Sequence, residues 1–343
     1  MNNLNVINKR SLEINYVIKR IDEWYKKNED KILTIITTPY NTCSIFKNLI
    51  KIVTEKGQKV LYVVNGDFSE NEMIKKIFYY KLNSNGCLKN SYKKILKFIK
   101  FVSCNNIHEI NMHYDLIIYD DISYFSQKSQ TQVKLDLDYL YKKSSKLIVY
   151  SIEIMLRNST TLEMCDCLEK TPFIEPRMIT TRIDLTKDIP YLMYDYLKWF
   201  KKNNRKVIIH APSKEMVDMV YEYFIKTLKI SSRIRILKAK DKTQYKMLKS
   251  LDELKDKPLM VITDYIGDYL KVSKNIDIVI YFADDKFFNY KKLLYLCGKV
   301  VMSSNGQGEV LFVSKNISKD MDKAKDIARN FNKNLWEKGL LGF

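Results

Sequence analysis

Glycine is scarce, with nine in 343 residues. A phosphate-cradling loop needs glycines so that backbone can approach an anion without a Cβ in the way. No Gly-x-x-x-x-Gly-Lys-Ser/Thr occurs anywhere in the chain. Histidine is scarcer still: His108, His113 and His210. Of the six cysteines (Cys43, Cys87, Cys104, Cys165, Cys167, Cys297), only Cys165-Asp-Cys167 is close-spaced. No second pair or nearby His completes a four-ligand zinc set, and a Cys–His nucleophile pair is disfavoured. Reduced thiols of a cytosolic protein are expected. The chain also lacks any run of about 18 apolar residues, so no membrane span is expected. Its first residues, Met1-Asn2-Asn3-Leu4-Asn5, lack the charged start and apolar core of a signal peptide, which makes the cytoplasm the expected compartment.

Positive charge is plentiful. The formal net charge is +19 and the pI about 9.4, which suggests a polyanionic partner. Only nine of the 59 basic residues are Arg. With abundant Ile, Asn and Tyr, the lysine excess carries the codon bias of an AT-rich genome, so part of the charge is mutational. The length suits two domains, each with ample core.

Short apolar runs alternate with helical patterns. Strands are expected at 31–37, 59–64, 98–102, 114–119, 146–150, 205–212, 232–237, 258–263, 276–282 and 308–313. Helices are expected at 1–27, 45–56, 69–82, 90–98, 128–142, 189–202, 241–255, 289–300 and 318–334, with Ser213 capping one more. Such alternation indicates parallel sheets with right-handed crossovers. The rhythm breaks at 156–190, which holds three of the six prolines, Pro172, Pro176 and Pro190. Thr180 to Leu185 is a candidate edge strand within it. The expected division is a first lobe at 1–168, a linker at 169–189 and a second lobe at 190–343.

The chemistry-bearing stretch is Tyr114-Asp115-Leu116-Ile117-Ile118-Tyr119-Asp120-Asp121. A strand buried on both faces delivers two carboxylates to its carboxyl end, where open α/β sheets bind ligands. A carboxylate there can hold Mg²⁺ while its neighbour orients water. Equally, the pair can be a strand running into an Asp-rich turn. Thr38-Pro39-Tyr40-Asn41-Thr42-Cys43-Ser44 joins a strand to a helix, the setting of a phosphate loop, but without the glycines and with no lysine before Lys47.

Together these stretches resemble a superfamily 2 helicase core of two RecA-like lobes. The chain is most similar to the ComFA family of competence-associated DNA-uptake ATPases, and more distantly to the primosomal helicase PriA. Val207 to Pro212 resembles the strand of motif IV. Ile280 to Asp284 followed by Leu293 to Val300 resembles the approach to motif VI, and Asp115 to Ser123 sits at the Asp-Glu box. The departures all fall on catalytic positions. In place of Ala-Pro-Thr-Gly-x-Gly-Lys-Thr, Asn41 and Cys43 replace glycines, Ser44 the lysine and Ile45 the threonine. That removes charge from the β/γ-phosphates and a ligand from Mg²⁺. In motif VI, Lys299 and Met302 stand where arginines belong; Lys lacks the planar fork and Met the charge. Gly267-Asp268-Tyr269 stands near the motif V Glu-Arg-Gly, and the four-cysteine zinc element has no counterpart.

The resemblance therefore implies a helicase-like DNA-binding protein deficient in ATP hydrolysis. ATP and Mg²⁺ remain possible ligands at a degenerate site made of Pro39, Tyr40, Asn41, Thr42, Ser44 and Lys299, with the metal on Asp120. Single-stranded DNA is the expected partner, held by Lys238, Lys240, Lys242 and Lys246, with Lys93, Lys94, Lys97 and Lys100 as a second cluster. A competence or DNA-processing protein is a possible further partner. Two alternatives stay open: an active ATP-dependent translocase, and a protein–protein scaffold. The scaffold would show itself by an exposed apolar face on a helix such as Tyr191 to Phe200.

Overall fold

A computed structural model describes residues 2–27, 30–65, 97–123, 128–165, 171–229, 234–240, 258–266, 276–304 and 308–340. The chain divides into two compact units, Met1–Leu168 with Glu337–Phe343, and Glu169–Trp336.

The first unit opens with α1 (Asn2–Lys26), whose Val17, Ile21 and Trp24 are buried at helical spacing. Its strands are β1 (Ile32–Ile36), β2 (Val60–Val64), β3 (Ile99–Ser103), β4 (Tyr114–Asp120), β5 (Ser144–Ser151) and β6 (Thr160–Glu163). They form one parallel sheet in the order β3-β2-β4-β5-β1-β6. The apolar runs of β2, β4 and β5 are buried, as strands covered on both faces must be. A 3₁₀ turn (Cys43–Phe46) and α2 (Lys47–Glu55) follow β1. Between β4 and β5 lies α3 (Gln130–Lys142), opened by a capping box of Ser129 and Gln132. The last residues return to α1: the Lys338 ammonium donates to Glu13 Oε1 at 2.6 Å, and Arg10 Nη2 to the Leu340 carbonyl at 3.2 Å.

The second unit holds β7 (Arg177–Thr180), α4 (Tyr191–Lys202), β8 (Lys206–His210), α5 (Lys214–Glu222), β9 (Arg235–Ala239), β10 (Leu259–Thr263), β11 (Ile276–Tyr281), α6 (Tyr290–Ser304), β12 (Val310–Ser314) and α7 (Lys319–Glu337). Its sheet is again wholly parallel, in the order β7-β12-β11-β8-β10-β9. At the amino end of this sheet the Arg205 guanidinium donates to both oxygens of buried Asp277 at 2.5 Å, and the Glu309 amide donates to the same carboxylate at 2.8 Å. One buried charge pair thus ties the starts of β8, β11 and β12.

Two elements differ from the sequence expectation. β6 was not expected: Thr160-Thr161-Leu162-Glu163 is an edge strand with alternating exposure, too short to stand out. The edge strand β7 lies at 177–180, not 180–185, because Asp184 draws the following residues into a turn through the Thr186 amide and hydroxyl. The expected helices 69–82 and 241–255, most of 90–98, and Gly267-Asp268-Tyr269 lie outside the described residues. Among the described residues, no helix is long and apolar enough to cross a membrane.

Candidate functional site

Parallel pairing of β1, β5 and β4 brings their carboxyl ends side by side. The loop after β1 and the Asp120-Asp121 pair therefore meet, as the strand–loop–helix pattern requires. The contact is direct: the Tyr40 amide donates to the Ile122 carbonyl at 3.0 Å. The Thr37 amide reaches Ser151 and the Asp121 amide reaches Tyr150 across the same edge.

The loop spends its own donors. Asn41 N–H points to the Thr38 carbonyl, Thr42 N–H to Asn41 Oδ1 at 2.7 Å, and Ser44 N–H to Thr42 Oγ1 at 3.1 Å. The Asn41 amide group donates onward to Thr37 Oγ1 at 2.7 Å and to the Cys165 carbonyl at 3.0 Å. These are the amides a phosphate loop would aim at an anion. Here the Thr38 carbonyl and the side chains of Asn41 and Thr42 accept them instead. Tyr40 holds a left-handed conformation, φ 64°, a strained choice for a residue with a Cβ. Beneath the loop, buried Phe46 meets Tyr150 edge-on at 5.2 Å and Tyr62 at 6.4 Å. The Tyr150 hydroxyl donates to the Thr42 carbonyl at 2.9 Å. Ile45, at the position of the metal-binding threonine, is buried with Cys43.

Asp120 is equally occupied. Its Oδ2 accepts from the Tyr62 hydroxyl at 2.7 Å and the Ser123 hydroxyl at 2.6 Å; its Oδ1 accepts from the amides of Ile122 at 3.1 Å and Ser123 at 2.9 Å. A carboxylate offers about four lone-pair directions, so this one is saturated by its own turn and by Tyr62 of β2. Burial raises the Asp120 carboxyl above its ordinary range, opposed by those same hydrogen bonds, and burial beside Asp120 holds the Tyr62 phenol well up. Buried Asp121 accepts from the Asn65 amide group at 2.7 Å. Among the described residues no cluster of three or more His, Cys, Asp or Glu forms a metal site.

In the second unit Lys299 lies on α6 and is buried; Met302 lies further along the same helix. Burial, and then the Lys299 charge, push His210 at the end of β8 well below the usual imidazole range, so His210 is neutral. Lys238 and Lys240 flank the end of β9, and both ammonium groups converge on Asp218 of α5, Lys238 at 2.9 Å. Lys242 and Lys246 lie outside the described residues, as do Lys93 and Lys94.

The structure thus gathers Pro39, Tyr40, Asn41, Thr42 and Ser44 with Asp120 and Asp121 in the first unit, and places Lys299 in the second. Sequence reading missed Tyr62, Asn65 and Tyr150, the partners that fill this strand edge, and Asp218, the partner of the two lysines. Tyr62-Val-Val-Asn65 ending a strand beside the Asp pair was the available signal.

No protein-family description and no curated protein matches the chain. Solved helicase structures do. The DUF1998 helicase MrfA bound to DNA matches at 11% identity over 93% of this chain and 48% of its own, with a TM-score of 0.50. The DEAD-box helicase Mss116 bound to ssRNA and UDP-BeF matches at 14% identity over 90% of this chain and 72% of its own, TM-score 0.52. RecG bound to a three-way DNA junction matches at 13% identity over 96% of this chain and 48% of its own, TM-score 0.52. The chain spans about half the length of the MrfA and RecG chains. The fold is therefore α/β, two tandem RecA-like domains like those of these helicases.

Proposed function

We propose that the chain is a helicase-like, DNA-binding pseudo-helicase: it holds single-stranded DNA without turning over ATP. The observation that carries this reading is the self-filled strand edge. Around the loop and Asp120, the chain's own groups occupy the positions where phosphate and metal would be held. Asn41 and Thr42 take the amides of Thr42 and Ser44, Phe46 and Ile45 fill the floor, and Tyr62, Ile122 and Ser123 saturate Asp120. For ATP and Mg²⁺ to bind, this set would have to be dismantled, at a cost of several hydrogen bonds of about 1 kcal/mol each. Without the loop lysine and the motif VI arginine, the γ-phosphate would still lack transition-state charge stabilisation.

DNA binding is supported by the fold, by the nucleic-acid-bound state of its structural neighbours, and by the net charge of +19. The motif order points to the ComFA family, and thus to DNA uptake or processing in the cytoplasm, where a competence protein would be the natural further partner. The test is fluorescence anisotropy of a labelled single strand at about 50 and 200 mM salt. Phosphate neutralisation by lysines predicts binding at the lower salt and an affinity about tenfold or more weaker at the higher. No binding at the lower salt, or binding indifferent to salt, contradicts the reading.

A further inference from the structure

Four of the fourteen exposed large apolar side chains among the described residues fall in nine consecutive positions of α4. They are Tyr191 at 73%, Leu192 at 63%, Tyr194 at 44% and Trp199 at 40% exposed. The helix is not misoriented. Met193, Leu197 and Phe200 seat it in the core of the second unit, and at about 100° per residue that fixes which side chains point outward.

We propose that this outward face of α4 is a stacking platform for single-stranded nucleic acid. The proposal rests on the DNA-binding reading above and names its surface in the second unit.

The rings are interleaved with cations. The Lys198 ammonium sits 4.6 Å from the Tyr194 centroid, and the Arg205 guanidinium 5.1 Å from that of Trp199. Asp195, the one carboxylate on the helix, is neutralised by Lys198 at 3.4 Å. Lys201 and Lys202 in the last turn have no carboxylate partner among the described residues. A single strand asks for this mixture: aromatic faces for bases and ammonium groups for phosphates. This exposed apolar face is also the mark expected of a protein–protein scaffold, but lysine is depleted at the centres of such interfaces, and here lysines stand among the rings.

The experiment uses the full chain and a labelled oligothymidylate at about 50 mM salt, with three variants. Tyr191→Ala with Trp199→Ala should weaken binding about tenfold or more. Lys201→Glu with Lys202→Glu should weaken it and lower the log–log salt slope by about 0.7 per lysine. Trp199→Phe should retain binding, because a ring remains, while losing the tryptophan fluorescence change that the strand causes in the parent. Thermal melts matching the parent's show that the variants fold. Parent-like binding by both double variants overturns the proposal and leaves DNA binding itself standing. Concentration-dependent self-association of the parent that the ring variant abolishes also overturns it, by making α4 a protein interface. Failure of the parent to bind any strand contradicts the functional reading and this proposal with it.

Discussion

The carboxyl ends of the central strands and the outer face of α4 have taken opposite courses. At the strand ends polar groups are turned inward: Asp120 is saturated by four donors, Asn41 holds the loop, and His210 is buried neutral. On α4, rings and lysines are left to solvent. In an NTPase the strand ends would be open and the peripheral helices ordinary. On the reading proposed above, a chain that closes the first and exposes the second uses the scaffold for a surface rather than for a reaction. The Asp120 carboxylate and the amides of Thr42 and Ser44 find partners within the chain, while Thr38 Oγ1 and Asn65 Oδ1 are buried without one.

The comparison breaks most easily at Asp120. If that carboxylate is a structural latch, Asp120→Ala strands two hydroxyls and two amides in the interior. The expected loss is about 3 kcal/mol or more of unfolding free energy, read by urea denaturation. A change under about 1 kcal/mol would instead mark Asp120 as a group held ready for a ligand.

His210 sharpens the same side with a smaller effect. Its folded form stays neutral, while the unfolded chain takes up a proton below about pH 6.5. The stability it allows is therefore intact above that pH and lost as pH falls. Between pH 7.5 and 5.5 the parent should lose more stability than His210→Gln, by at most about 1.4 kcal/mol, measured by denaturation at each pH. Parallel pH profiles would show that the imidazole is solvated. The smallest effect belongs to the other side of the comparison. Tyr191→Ala should change stability by no more than about 0.5 kcal/mol, because that ring is 73% exposed and outside the core. A loss of several kcal/mol in the same denaturation assay would show that α4 packs more deeply than its exposure indicates.

Much of this architecture could be read from the chain. Runs such as Val60–Val64 and Leu116–Tyr119 are apolar throughout because both faces of a parallel strand are covered, so their positions were plain. The edge strand β6 was not, since Thr160 to Glu163 pairs on one side only and carries polar residues on its open face. At the candidate site, the missing glycines, lysine and arginine were legible because they are identities at known spacings. What replaced them was not. Tyr62 and Asp120 are 58 positions apart and meet only because β2 lies beside β4. Asp218 reaches Lys238 and Lys240 only because α5 packs against β9. Nor could periodicity tell which apolar residues of Tyr191 to Phe200 face the core. The structure divides them into Met193, Leu197 and Phe200 inside, Tyr196 half-buried against that core, and four others outside.

The central claim is that the strand edge no longer performs chemistry. It is tested most directly by ATP turnover of the purified full chain, with and without single-stranded DNA. The account predicts turnover at background in both cases, unchanged by Asp120→Asn. Hydrolysis at about 1 s⁻¹ or more, stimulated by the strand and abolished by Asp120→Asn, would contradict it.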